Sequence, residues 1–350
     1  VVKNNQQERK DRIVMKERYS RQALFKPIGK TGQKKISESH VMILGCGALG
    51  TANAANLARA GVGKLTIIDR DYVERSNLQR QQLFTDKDAE NQVPKVIAAK
   101  EKLEAVNPEI EVNALILDVT GEELAPYLKD VDLVIDATDN FDIRFVMNDL
   151  IHKHKLPWIF GSCVGSTGMS YTILPGETPC LACILDTTTL SGATCDSVGI
   201  IAPAVQMVVA HQTAEALKLL VGDVNSLRTK LVMFDLWTNQ YQMIKVDRAK
   251  KASCPSCGVD PSYPALSYDT RTKTEVLCGR NTVQIRANRH IVLEELASRL
   301  EKLGSIHVNK FLLSLHYGDY RVVVFSDGRA FIHGTSSMEE ARKIYYQLVG

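Results

Sequence analysis

Val41-Met-Ile-Leu-Gly45-Cys-Gly47-Ala-Leu-Gly50 reads as a strand that ends in a tight glycine turn and opens a helix. Four apolar residues precede the first glycine, and an alanine-rich run follows the last as far as Ala60. Gly61 then stands where a helix often ends in a left-handed conformation. The expected elements are a strand over 41–45, a helix over 48–60 and a strand over 64–69. In such a turn the first two glycines let backbone approach a phosphate, and the helix N-terminus offers unsatisfied N–H groups. Asp69, at the end of the next strand, is placed to bond ribose hydroxyls. This fingerprint by itself suits NAD as well as ATP, so an NAD-dependent oxidoreductase remains an alternative.

The alternation continues outward. Residues 71–88 form a long polar segment rich in Asn, Gln and Arg, a length that suggests function. Pro94 opens a helix at its first position, with Lys95 at the second. Strands are expected over 110–117, 131–137 and 158–161, a βαβ rhythm that requires a mainly parallel sheet with right-handed crossovers. After Gly165 the rhythm changes to paired strands at 169–174, 230–235 and 241–246 around a helix that starts near Pro203. The fold class is α/β: a Rossmann-like mixed sheet, parallel in its first half and antiparallel in its second. A boundary dense in Pro, Ser, Gly and Cys falls at 255–264. Past it, strands at 282–286, 311–317, 320–325 and 330–333 and helices at 291–303 and 337–348 make a small α+β domain.

The domains are therefore a nucleotide-binding one over 15–260 and the small one over 265–350, for which docking or dimer support is the plainest expectation. Residues 1–14, polar and aperiodic ahead of Met15, read as a disordered tail foreign to the fold. Composition is that of an ordinary soluble protein, 45% hydrophobic and 24% charged over 350 residues. The net charge of +3 owes two units to the tail, so neither nucleic acid nor membrane is expected as a partner. The most apolar stretch, 199–221, is broken by Gln206, His211, Gln212, Glu215 and Lys218 and reads as a buried helix. A cytoplasmic location follows, where the eight cysteines serve as metal ligands or thiols sooner than as disulfides.

Asn77, Gln79, Arg80 and Lys95 shift the balance from NAD to ATP. A pyrophosphate leaving group gathers charge that Arg and Lys neutralise, whereas NAD has no use for such a cluster. Lys95 sits in the first turn of its helix, where the macrodipole disfavours a cation unless a polyphosphate is bound. Asp139, in Asp136-Ala-Thr-Asp139-Asn140, lies past a strand end and can hold Mg²⁺ on the phosphates. The competing role is a helix N-cap, which Asn140 can fill instead. Cys180-Leu-Ala-Cys183 and Cys254-Pro-Ser-Cys257 offer four thiolates, the set for a closed, structural Zn²⁺. Cys195, ahead of a helix, is either a thiol activated by that position or an inert small residue. Cys46 and Cys163 read as packing residues, and the eight histidines show no metal spacing.

Taken with Arg18-Tyr-Ser-Arg21-Gln22, Asp69-Arg-Asp71, Ser76-Asn77-Leu78-Gln79-Arg80-Gln81 and Pro94-Lys95, these motifs resemble the bacterial molybdopterin-synthase and thiazole-biosynthesis adenylyltransferases, relatives of ubiquitin-activating enzymes. The resemblance runs from Arg18 to about Gly258 and is specific as an ordered set. It implies that ATP is held by Gly45, Gly47, Ala48, Gly50, Asp69, Asp71, Ser76 to Arg80, Lys95, Asp139 and Asn140. Ala48 stands where several relatives have Gly, a change that keeps the backbone N–H. The resemblance further implies a homodimer in which Arg21 reaches the partner's ATP. The substrate would be a ubiquitin-like sulfur-carrier protein ending in Gly-Gly, with a sulfur donor protein acting afterwards. In some branches the cysteine at the Cys195 motif links covalently to the carrier; in others it is dispensable. The C-terminal domain does not match the sulfurtransferase domain of some relatives. It looks more like half of a TATA-binding-protein-type fold, without the charge expected of a DNA binder.

Overall fold

The computed structural model describes residues 17–119, 121–185, 198–266, 274–276, 281–287 and 289–350. The N-terminal tail and Cys195 lie outside the described residues. The chain divides into two compact units; of the described residues, the first holds those up to Leu185 and Ile200–Leu266, and the second, small one holds Val198, Gly199 and those beyond Leu266.

The first unit opens with α1 (Ser20–Leu24), α2 (Gly29–Glu38), β1 (His40–Leu44), α3 (Ala48–Ala60) and β2 (Lys64–Asp69). It continues with α4 (Asp86–Glu90), α5 (Lys95–Val106), β3 (Glu111–Ile116), β4 (Leu133–Asp136), α6 (Phe141–His154) and β5 (Trp158–Val164). Then come β6 (Thr167–Ile173), α7 (Leu181–Leu185), α8 (Ala202–Val221), β7 (Lys230–Asp235) and β8 (Gln240–Lys245). The eight strands lie in the order β3-β2-β1-β4-β5-β6-β7-β8. Pairs from β3 to β5 are parallel; those from β5 to β8 are antiparallel. The expected mixed sheet is therefore present.

Sheet and helices assemble because β1 is apolar on both faces. Val41 and Ile43 pack into one core with Leu57 of α3, Val96 of α5 and Val205 of α8. Met42 and Leu44 pack into the other with Leu150 of α6, Trp158 and Leu181 of α7. A strand covered on both sides reads as a continuous apolar run, which is what the sequence shows. Gly61 has φ +83° and closes α3, and its missing Cβ leaves room for the Tyr19 ring.

Boundaries differ in places. β5 continues to Val164, beyond the expected 161, because its antiparallel partner β6 extends the ladder past the reach of β4. Pro94 is the N-cap of α5, so Lys95 is its first helical residue and not its second. At the far edge of the sheet β8 is exposed along its whole length.

The second unit contains β9 (Thr274–Val276), β10 (Thr282–Ile285), α9 (Leu293–Leu300), β11 (Ile306–Val308), β12 (Leu312–Tyr317), β13 (Tyr320–Phe325), β14 (Ala330–His333) and α10 (Met338–Leu348). Its antiparallel sheet has the order β11-β12-β13-β14-β10-β9. Leu296 and Leu300 of α9 and Ile344 and Leu348 of α10 pack on Val283, Leu313, Val322 and Val324. The short edge strands β9 and β11 carry no periodic signal of their own. No helix among the described residues is long and apolar enough to cross a membrane.

Candidate nucleotide site and metal centre

Strand order reverses between β1 and β4, and a ligand crevice is expected outside the carboxyl ends of such strands. The glycine turn after β1 and the Asp136–Asp139 turn after β4 meet there. Gly45 has φ +92°, and a Cβ on it would lie 2.5 Å from the carbonyl oxygen of Ala137. Its N–H donates to the Ile68 carbonyl at 2.8 Å. A Cβ on Gly50 would run into the Gly45 carbonyl, so this third glycine is a requirement of the turn itself. Gly47 differs. It is the N-cap of α3, and a Cβ there would meet only the Gln81 amide nitrogen, at 3.7 Å. The space over Gly47 is therefore open to a ligand. Gln81 is 4% exposed, and its Oε1 finds no protein partner among the described residues. A buried orphan amide beside an open glycine suits a polar ligand.

Asp69 holds this turn in place. Its Oδ2 accepts the N–H of Cys46 at 2.6 Å and its Oδ1 accepts that of Asp71 at 2.7 Å. Burial pushes its carboxyl above the usual carboxylate range, while the Lys95 ammonium pulls it back. Asp69 is thus a scaffold of the turn, whatever it offers a ribose. Lys95 is only 4% exposed, with Nζ 3.2 Å from Asp71 Oδ2. Lys95 is therefore not a solvated surface lysine. Cys46 is buried in the core, as expected.

The Ser76–Gln81 segment approaches the same turn through Gln81. Asn77 is buried, and its Oδ1 accepts the Glu74 N–H at 3.2 Å, capping a short helical turn. Arg80 is half-buried and donates to the Ser76 carbonyl at 2.9 Å; Ser76 and Gln79 are exposed, Leu78 half-buried. Of the Arg18–Gln22 run, Tyr19 is buried against Asn107 and Gln22 donates to the Ala60 carbonyl at 2.9 Å. Arg21 is left exposed on α1.

At the β4 end, Asn140 caps α6 by accepting the Asp142 N–H at 2.8 Å, and Asp139 is exposed. Asn140 thus fills the cap role, and Asp139 does not serve as the cap. A single carboxylate suits Mg²⁺, which takes most of its ligands from water and phosphate. Beneath them lies a polar network that sequence reasoning missed. Arg144 Nε donates to Asp136 Oδ2 at 2.9 Å, with both side chains almost fully buried. Burial raises the Asp136 carboxyl, and the Arg144 guanidinium lowers it again. From the opposite face Gln212 donates to the Asp136 carbonyl at 2.7 Å, and Asn53 donates to Gln212 Oε1 at 2.7 Å. The only sequence signal was that polar residues interrupt an otherwise apolar helix.

The four cysteines of the two C-x-x-C pairs converge. Sγ of Cys180 lies 3.6 Å from that of Cys254, Cys183 lies 3.7 Å from Cys257, and all four fall within 4.8 Å. None forms a disulfide. The N–H groups of Cys183 and Ser256 point at the sulfurs of Cys180 and Cys254, at 3.4 and 3.5 Å. Backbone donors aimed at sulfur stabilise thiolates, and the cluster could hold a metal ion.

Comparison with known proteins identifies the family. A sulfur carrier protein ThiS adenylyltransferase of Bacillus subtilis is 47% identical over 336 residues, spanning 95% of this chain and 99% of that protein. The match therefore includes the second unit. The ThiS adenylyltransferase of Escherichia coli is 37% identical, covering 71% of this chain and 97% of its own length. The molybdopterin-synthase adenylyltransferase of the same organism is also 37% identical, at 69% and 96% coverage. Among solved structures, Escherichia coli MccB superposes with a TM-score of 0.61 at 23% identity, over 70% of this chain and 73% of its own, a likeness of fold. The ThiF family model matches residues 19–256, and with the relatives above it establishes that this chain belongs to the ThiF family.

Proposed function

We propose that the chain is an adenylyltransferase that uses ATP to activate the C-terminal glycine carboxylate of a ubiquitin-like sulfur-carrier protein. The names of its relatives, which include adenylyltransferases of sulfur carriers, support this reading. The observation that carries it is the buried Lys95–Asp71 pair at the start of α5, set beside an open glycine turn. A cation buried at a helix N-terminus is costly by itself and favourable beside a polyphosphate. The alternative of an NAD-dependent oxidoreductase finds no support among the relatives.

In this reading the phosphates lie over Gly47 and the start of α3, with Ala48, Gly50, Asp71 and the Ser76–Arg80 segment around the nucleotide. Asp139 contacts the Mg²⁺ that the nucleotide brings. The carrier carboxylate is already ionised at neutral pH, so attack on the α-phosphate needs no general base. Arg80, Lys95 and Arg21 of a second subunit offset the charge of the departing pyrophosphate, and positioning supplies the remaining rate. Arg21 is exposed within its own subunit, as a residue that serves a homodimer partner must be. Zn²⁺ in the four-cysteine cluster is structural, since a closed thiolate set leaves no open position. As candidate nucleophile the Cys195 thiolate displaces AMP from the acyl-adenylate, and sulfide-level sulfur from a donor protein displaces that thiolate in turn to leave the thiocarboxylate. The reaction belongs in the cytoplasm, in either thiamine-thiazole or molybdopterin synthesis.

Carrier-dependent ATP–pyrophosphate exchange tests the proposal, with purified carriers of both pathways offered in parallel. Exchange with one carrier and not the other assigns the pathway. No carrier-dependent exchange with either removes the proposal.

A further inference from the structure

Arg144 lies in the first turns of α6, and its side chain is 3% exposed. Besides its bond to Asp136 it donates from Nη2 to the Thr138 carbonyl at 2.5 Å and to the Gly161 carbonyl at 2.9 Å. Its Nη1 lies 3.4 Å from Ser162 Oγ. The guanidinium also sits 4.9 Å from the ring centre of Phe141 and 5.1 Å from that of Phe160. Asp136 Oδ1 in turn accepts the N–H and the hydroxyl of Thr138, at 2.9 and 2.8 Å. Thr138 is therefore gripped at its nitrogen, its side chain and its carbonyl. That carbonyl belongs to the peptide unit that leads into Asp139.

An ion pair this deep gives little net stability, because desolvation offsets most of the attraction and apolar residues would serve as well. Its distinctive product is geometry. Turns at strand ends are ordinarily mobile, and this one carries an exposed carboxylate that must meet a nucleotide-bound cation. We infer that Arg144 is a positioning residue, which fixes the Thr138–Asp139 peptide and so aims the Asp139 carboxylate at the Mg²⁺ of the bound nucleotide. The inference rests on the proposed contact between Asp139 and Mg²⁺. Outer partners that orient a metal-contacting side chain are typically worth about 10–100-fold in metal affinity or activity.

The test is equilibrium calorimetry with a non-hydrolysable ATP analogue on the full chain without carrier, once with Mg²⁺ and once with chelator. Wild type, Arg144→Lys and Asp139→Asn are compared, with thermal melts to confirm folding. In wild type Mg²⁺ strengthens binding. Arg144→Lys should lose about tenfold of that Mg²⁺-dependent gain and bind the metal-free analogue as wild type does. A purely structural role would weaken both equally or neither, and either result in a folded variant overturns the inference. Asp139→Asn separates the two levels. If it keeps the full Mg²⁺ gain, the assignment of Asp139 falls and the inference with it; if it loses the gain while Arg144→Lys keeps it, only the inference falls. Should Arg144→Lys not fold, Arg144→Met combined with Asp136→Asn removes both buried charges, and the same loss of the Mg²⁺ gain is expected.

Discussion

Oδ2 of Asp69 lies 2.6 Å from the main-chain nitrogen of Cys46, so the end of one strand fixes the turn that follows its neighbour. The second oxygen holds the Asp71 N–H, and Asp71 holds Lys95. Two carboxylates, those of Asp69 and Asp71, thus connect the glycine turn to the buried cation.

The glycines of that turn should respond differently to substitution. Gly45→Ala places a methyl 2.5 Å from the Ala137 oxygen at φ +92°, and should destabilise the fold by more than about 1 kcal/mol. Gly47→Ala meets only Gln81 and should cost less stability, yet its methyl takes the space left for a phosphate. Urea unfolding and calorimetric nucleotide binding measured side by side check this. Equal stability losses in the two variants, or full nucleotide affinity in Gly47→Ala, count against the site.

Arg80→Ala and Lys95→Ala should each lower exchange by roughly 10²–10³, the scale for one preorganised charge-stabilising group. Lys95→Ala also removes a buried ion pair with Asp71, so its melting temperature should fall further than that of Arg80→Ala. Steady-state exchange on folded protein is the measurement. Rates within a few-fold of wild type in both would falsify the phosphate assignment.

Metal analysis of freshly purified protein should find about one zinc per chain. Cys180→Ser or Cys257→Ser should lose it together with stability, since site formation is linked to folding, with apparent energies of ~10–16 kcal/mol in zinc-finger peptides. Protein that folds fully without any metal would rule out a structural centre.

Burial holds the His40 imidazole below the ordinary histidine range, with Nδ1 on the Asp130 carbonyl and Nε2 on the Thr66 hydroxyl. The native state therefore prefers the neutral ring. As pH falls through the unfolded value of about 6.5, the unfolded chain takes up a proton that the folded chain resists. This contribution to stability is complete above that pH and is lost below it. Urea midpoints from pH 7.5 to 5 should fall more steeply for wild type than for His40→Gln. Parallel curves would contradict the assignment.

Much of the first unit was legible in the sequence because the signals are local. Glycines at fixed offsets mark the turn, an unbroken apolar run marks a strand covered on both faces, and matched C-x-x-C pairs mark the cluster. Contacts between distant polar residues left no such mark. Asp136 meets Arg144 on one face of the sheet and Gln212 on the other; Gln212 shows in the sequence only as a break in an apolar helix, and Arg144 not at all. The sequence points Asp69 toward a ribose but does not mark its hold on the turn, because its partners there are backbone N–H groups that any residue can supply. Proline suits either side of a helix start, so the sequence alone puts Pro94 one position further into its helix than the structure does. The edge strands β9 and β11 are too short for alternation to show.

The sulfur pairing Cys180–Cys254 and Cys183–Cys257 bears on how the protein ages. Metal coordination would shield these thiolates from oxidants; the sulfurs stand 3.6 and 3.7 Å apart, and a covalent link needs about 2.05 Å. In air each pair can close by giving two electrons and two protons to oxygen, which would fasten residues 74 positions apart and exclude the ion's return. Chelation under oxygen should then be irreversible until a reductant is added, whereas chelation under argon should reverse on adding zinc. Free-thiol counts taken before and after reduction would separate the two histories, and purification without reductant would yield a mixture of them.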